Sequence, residues 1–141
     1  MRRRVLVVED NPANSELLCD WLEAEGIEAV PAENLEQAFA ALKNQQPDAV
    51  LLDVQLETED GLSLAAWMRK EPVFRSISVI AVTAHAMVTD QERIIRAGCD
   101  VCISKPVDFK VLRVELRRWM EHGAKLQRED ANHAEISTTK R

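Results

Sequence analysis

The chain has 141 residues, 46% of them apolar and 30% charged, with a formal net charge of −6. Such a length suits a single domain that buries a core without disulfides or a structural metal, and the composition argues against wholesale disorder. The acidic balance argues against a nucleic-acid binder, the longest apolar runs are too short to cross a bilayer, and the three cysteines suit a reducing cytoplasm.

In chain order, the basic start Arg2-Arg3-Arg4 leads straight into an unbroken apolar run at residues 5–8, as expected of a central parallel strand covered on both faces. Residues 14–25 read as an amphipathic helix with Leu17, Leu18, Trp21 and Leu22 on a face expected to pack against the sheet, and Glu16, Asp20 and Glu23 away from it. Gly26 stops this helix, and a strand follows at 27–30. A helix at 35–45, a second unbroken apolar strand at 49–52, a helix at 62–70 and a strand at 79–82 come next. A helix at 90–97 is closed by Gly98, then come a strand at 101–103 and a helix at 108–121. On the last helix Phe109, Leu112, Leu116, Trp119 and Met120 form a core stripe, whereas Val111 and Val114 project to the opposite side beside Arg118. That apolar pair is a candidate homodimer or partner surface.

Five such βα units imply an α/β fold, a doubly wound five-stranded parallel sheet. Residues 1–122 form the expected domain. From residue 123 the composition turns to Gln, Asn, Ser, Thr and charged side chains, so 123–141 are expected to be a mobile polar tail.

Ligands of an open parallel sheet bind outside the carboxyl ends of its strands, and here those ends are polar. The first strand ends in Glu9-Asp10, the third in Asp53, the fourth in Thr83 and the fifth in Lys105-Pro106. Taken singly, each has an ordinary structural use: acids suit helix starts, a Thr caps, a Lys snorkels. Converging together, three carboxylates repel one another, and a hard divalent cation bound through oxygen relieves this. Mg²⁺ is the expected ion, because it tolerates few carboxylates and accepts phosphoryl oxygens, so the pocket suits phosphoryl chemistry.

Val5-Leu6-Val7-Val8-Glu9-Asp10-Asn11, Leu52-Asp53-Val54-Gln55-Leu56 with Asp60-Gly61, Val82-Thr83-Ala84 and Ser104-Lys105-Pro106 together resemble the receiver domain of two-component response regulators. The resemblance covers about residues 4–122. It implies the flavodoxin-like strand order 2-1-3-4-5, and it makes Asp53 the acceptor of a phosphoryl group from a phosphohistidine on a histidine kinase or phosphotransfer protein. Glu9, Asp10, Asp53 and the main-chain carbonyl of Gln55 would hold Mg²⁺. Lys105 would neutralise charge on the transferring group, Thr83 would bind a phosphoryl oxygen and draw its loop inward, and Pro106 would follow a cis bond. Gln55 and His85 fall at the rim, where they would control the hydrolytic water. Docking of the donor maps onto Asn14 and Val107, and onto Leu17 in conflict with its expected core position.

Two positions depart from the family pattern. Glu57 stands where Pro is usual, so the loop beside the site is expected to be looser and more acidic. Cys102 stands where a Tyr or Phe usually reports the movement of Thr83, which places the switch on Thr83 and the loop 84–89. Cys99 and Cys102 have the spacing of a redox pair or half a zinc site, but no partner set completes it, and they read as packing residues. His85, His122 and His133 are too scattered to form a metal set. Trp21 and Trp119 fall on core faces, and Trp67 is ambiguous.

The functional expectation is a stand-alone cytoplasmic receiver, a phosphoacceptor and not an enzyme, that signals to a downstream protein without binding nucleic acid or inserting in a membrane. Residues 123–141 are too few for an output module, which needs roughly fifty or more residues. The alternatives are a receiver segment of a hybrid kinase and a Mg²⁺-dependent phosphatase on a related fold, although Val54 and Gln55 offer no general acid beside Asp53.

Overall fold

The computed structural model describes residues 2–123, so of the expected tail only residue 123 lies among the described residues. Five parallel strands stand in the order β2-β1-β3-β4-β5: β1 (Arg4–Val8), β2 (Glu28–Ala32), β3 (Ala49–Asp53), β4 (Ser78–Thr83) and β5 (Val101–Ser104). The connecting helices are α1 (Pro12–Ala24), α2 (Leu35–Gln45), α3 (Leu62–Lys70), α4 (Val88–Ala97) and α5 (Phe109–Arg118). The expected doubly wound, flavodoxin-like topology is the observed one.

Alternation along the strands divides the core into two layers. Leu6, Val8, Val50, Leu52, Val79 and Ala81 face Ala38 and Leu42 of α2, Leu64 and Met68 of α3, and Ile94 of α4. Val5, Val7, Ala49, Leu51, Ile80 and Ile103 face Leu18 and Leu22 of α1 and Leu112 and Leu116 of α5. The continuous apolar runs of β1 and β3 follow from this, because both of their faces are buried. Strand β2 is one of the two edges, and it carries Pro31 opposite Val7, where a missing N–H costs no central ladder bond.

Helix ends differ from expectation where backbone chemistry decides them. Helix α1 starts at Pro12, with the Asn11 side chain accepting from the Asn14 amide at 3.0 Å. It closes with Gly26 at φ 81°: Gly26 N–H donates to Glu23 and Ile27 N–H to Leu22. Helix α4 begins at Val88, earlier than expected, and ends on Gly98 at φ 125°. Helix α5 gives way after Arg118 to a π-helical turn, Trp119–Gly123, and the Trp119 carbonyl accepts from the buried Ser78 hydroxyl at 2.9 Å.

Leu17 is a correction. It is 57% exposed, whereas Leu18 and Leu22 carry the buried face of α1. The apolar cluster was wider than the stripe the sheet can cover, and Leu17 lies at its uncovered margin. Trp67 is resolved as a packing residue, with ring centroids 4.8 Å from Phe39 and 5.4 Å from Phe74.

Candidate phosphoryl-acceptor site

β1 and β3 are neighbours at the point where the strand order reverses, so the residues that end them share one crevice. Glu9, Asp10 and Asp53 each present a carboxylate oxygen within 4.8 Å of the others. Glu9 and Asp53 are buried, at 3% and 5% exposure, and Asp10 is half-buried. Lys105, after β5, reaches in from the other side, its Nζ 3.3 Å from Asp53 Oδ2 and 3.7 Å from Glu9 Oε1. The peptide bond between Lys105 and Pro106 is cis.

Burial pushes the Glu9 carboxyl up to about 7, and the adjacent Asp53 adds to the rise. The Asn11 amide, which donates to Glu9 Oε2 at 3.1 Å, and the Lys105 ammonium act in the opposite sense. Desolvation wins because the carboxyl is almost wholly removed from water. Such a group lacks a full counter-charge, and oxygen ligands this close fit a divalent cation such as Mg²⁺.

Main-chain groups surround Asp53. Gln55 N–H donates to Asp53 Oδ1 at 3.0 Å, which orients the carboxylate. Gly61 lies so close behind that a Cβ there would fall 2.5 Å from the Asp53 carbonyl oxygen, a contact no larger residue can make without moving the loop. Gly61 is therefore needed for this backbone approach.

Thr83 is buried at the end of β4, with its hydroxyl engaged locally: Oγ1 accepts from His85 N–H at 3.0 Å and donates to the His85 carbonyl at 3.2 Å. The His85 side chain is exposed. Gln55 reaches across the crevice, where its Oε1 accepts from Ala84 N–H at 3.0 Å. The two rim residues are thus unlike each other, one tethered and one free in solvent.

The expectation of a looser loop at Glu57 is corrected. Glu57 N–H donates to Asp10 Oδ2 at 2.5 Å, Glu59 Oε1 accepts from Leu35 N–H at 3.1 Å, and Asp60 Oδ1 accepts from Leu62 N–H at 3.0 Å. The acidic side chains cap amides that would otherwise be unpaired, so the loop is tied at three places. Main-chain donors carry no side-chain signature, which is why the sequence did not reveal the first of these ties.

Beside the site, Asn14, Leu17, Lys105, Pro106, Val107 and Phe109 help line an open groove of about 430 Å³ between α1 and the β5–α5 loop. Cys102 lies half-buried on the opposite layer, packed against the α2–α4 core, and Cys99 is buried with its thiol pushed up to about 12 by desolvation. Both act as packing residues. Val111 and Val114 are exposed, at 44% and 62%. Among the described residues, no helix is long and apolar enough to cross a membrane.

The response regulator receiver domain family model matches residues 5–117. A polar-differentiation response regulator DivK from Brucella anthropi is 41% identical over 107 residues, spanning 76% of this chain and 87% of that protein. The DivK of Brucella ovis is 40% identical over the same shares. Among solved structures, a CheY-like receiver domain protein from Methanospirillum hungatei aligns with a TM-score of 0.80 at 26% identity, covering 89% of this chain and 98% of that one. The receiver domain of a signal transduction histidine kinase from Syntrophus aciditrophicus aligns at 0.77 and 31% identity, over 84% and 90%. With four motifs at four strand ends and a family match over most of its length, this chain belongs to the response regulator receiver domains of two-component signalling.

Proposed function

We propose that the chain accepts a phosphoryl group on Asp53 from a phosphohistidine donor, a histidine kinase or phosphotransfer protein, and signals through altered protein contacts in the cytoplasm, as a phosphoacceptor and not as an enzyme with a separate substrate. The observation that carries this reading is the approach of Lys105 Nζ to Asp53 Oδ2, 3.3 Å apart, beside the Glu9 and Asp10 carboxylates. Val54 and Gln55 offer no general acid beside Asp53, which leaves a phosphatase without support. A stand-alone role draws support from the DivK relative, 87% of whose length aligns here.

In the proposed transfer a carboxylate oxygen of Asp53 attacks phosphorus, the P–N bond to the donor imidazole breaks, and the imidazole leaves with that electron pair. The Gln55 amide holds the acceptor carboxylate in place, and Lys105 neutralises charge that gathers on the equatorial oxygens. Glu9, Asp10, Asp53 and the Gln55 carbonyl would hold Mg²⁺, which when bound offsets carboxylate repulsion and the phosphoryl charge. Thr83 would exchange its bond to the His85 carbonyl for one to a phosphoryl oxygen. His85, exposed at the rim, would bear on the lifetime of the acyl phosphate.

The groove beside Lys105 suits docking of the donor protein, with exposed Leu17 as an apolar contact and Asn14 and Val107 lining the same groove. Transfer from a phosphohistidine donor, followed by mapping of the acyl phosphate, tests the reading. Label is expected on Asp53, and Leu17→Glu or Val107→Glu should slow transfer from the protein donor while sparing a small-molecule donor. Label on another residue contradicts the acceptor assignment, and equal loss with both donors contradicts the docking assignment.

A further inference from the structure

Asp10 is half-buried, and one of its oxygens, Oδ2, is held by a main-chain group from the loop after the neighbouring strand, the Glu57 amide at 2.5 Å. This bond depends on the residue type at 57 in an unusual way. Any residue except proline supplies the donor, and proline is what the family pattern usually carries there. The same loop is anchored on both sides of the contact: Gln55 pairs with Asp60 as an isolated antiparallel bridge, and Glu59 holds the Leu35 amide. The donor is therefore fixed, and the carboxylate it holds is one of the three in the cluster with Glu9 and Asp53.

We propose that the Glu57 main-chain N–H is a positioning group for Asp10, setting its carboxylate in ligand orientation before a divalent cation arrives. The proposal rests on the reading of Glu9, Asp10 and Asp53 as the cation site. An unheld aspartate must give up rotamer freedom when it binds a cation, and a carboxylate between two others is repelled from the cluster. A charge-assisted amide bond lowers both penalties in advance, since it fixes the side chain and draws charge from the oxygen it holds. Proline at 57 would leave Asp10 to be ordered by the cation itself.

The test separates the amide from the side chain. Glu57→Ala removes the carboxylate and keeps the N–H; Glu57→Pro removes both, so the comparison separates loss of the N–H from loss of the side-chain charge. With MgCl₂ as the probe and calorimetric titration as the readout, Glu57→Pro should bind roughly three- to tenfold more weakly than Glu57→Ala, the span expected for one hydrogen bond. Equal affinities overturn the positioning role. Saturable binding that is absent in the wild type, or unchanged in Asp10→Ala, overturns the cation-site reading and the proposal with it. Should Glu57→Pro fail to fold, the wild-type Glu57 amide decides. Its proton should resonate downfield and exchange slowly with and without MgCl₂, and lose both properties in Asp10→Ala; an amide that exchanges freely in the wild type, or ignores Asp10→Ala, overturns the proposal.

Discussion

The side-chain oxygen of Gln55 accepts a hydrogen bond from the backbone of Ala84, 3.0 Å away, and so joins the loop that follows Asp53 to the loop that follows Thr83. With Cys102 in place of a long aromatic ring, the proposed route of movement in this crevice runs through Thr83 and the segment after it. Gln55 holds that segment from the opposite wall, and Thr83 holds it through His85. The Gln55 tie is one hydrogen bond and the Thr83 tie is two, each bond worth about 1 kcal/mol net, so a phosphoryl group competing for one of them can shift the loop.

Gln55→Ala is accordingly expected to raise amide exchange in residues 84–89 several-fold without a phosphoryl mimic, and to shrink the further change that the mimic produces. Thr83→Ala should abolish the mimic-dependent change, and Cys102→Ala should leave it largely intact. Hydrogen exchange read by mass spectrometry checks all three. A Gln55→Ala profile matching the wild type contradicts the tether, and loss of the response in Cys102→Ala contradicts the route through Thr83.

The raised Glu9 carboxyl carries a pH dependence of defined sign. Its value rises from 4.5 to about 7 on folding, so below about pH 4.5 it is protonated in both states and its contribution to stability is complete. Between these values the unfolded chain ionises first, and stability is lost as pH rises through about 7. The loss amounts to about 3 kcal/mol at most. Urea unfolding in EDTA at pH 5 and pH 8 should show the wild type losing stability relative to Glu9→Gln, and millimolar MgCl₂ should reduce the loss at pH 8. Parallel profiles for the two proteins contradict the assignment.

At the opposite ends of the strands, Arg69 and Asp100 form a separate structural pair. Arg69 Nη2 lies 2.9 Å from Asp100 Oδ2, the same oxygen accepts from Val79 N–H at 2.8 Å, and Arg69 also donates to the carbonyls of Gly98, Arg75 and Ile77. Asp100→Ala removes the counter-charge of the part-buried Arg69 and the acceptor of the Val79 N–H, and should cost about 3 kcal/mol of stability. Phosphorylation measured well below its melting temperature should be unchanged. Full stability in Asp100→Ala would show that the pair has little structural weight.

Much of this was legible because the decisive signals are side chains at strand ends. Continuous apolar runs marked β1 and β3, and the acids, Thr83 and Lys105 that follow the strands are the groups found in the crevice. Leu17 was misplaced because helical periodicity does not say how wide a stripe the neighbouring sheet covers. The Glu57–Asp10 bond was invisible because its donor is the main chain, and the Gln55–Ala84 bond because it spans two loops whose approach depends on the tertiary fold. The π-helical turn after Arg118 likewise answers to a tertiary contact, between the Trp119 carbonyl and the Ser78 hydroxyl.

Val111 and Val114 remain the exposed apolar pair on α5. A homodimer through this face should appear in light scattering as a concentration-dependent doubling of mass, dispersed by Val111→Glu with Val114→Glu. A monomer at high concentration contradicts it.

Intact-mass measurement after incubation with a small phosphoryl donor, with and without MgCl₂, bears most directly on the acceptor role of Asp53. One phosphoryl adduct is expected on the wild type in MgCl₂, little without it, and none on Asp53→Asn under either condition. An adduct of equal yield on Asp53→Asn, or none on the wild type while the folded protein binds Mg²⁺, would contradict that role.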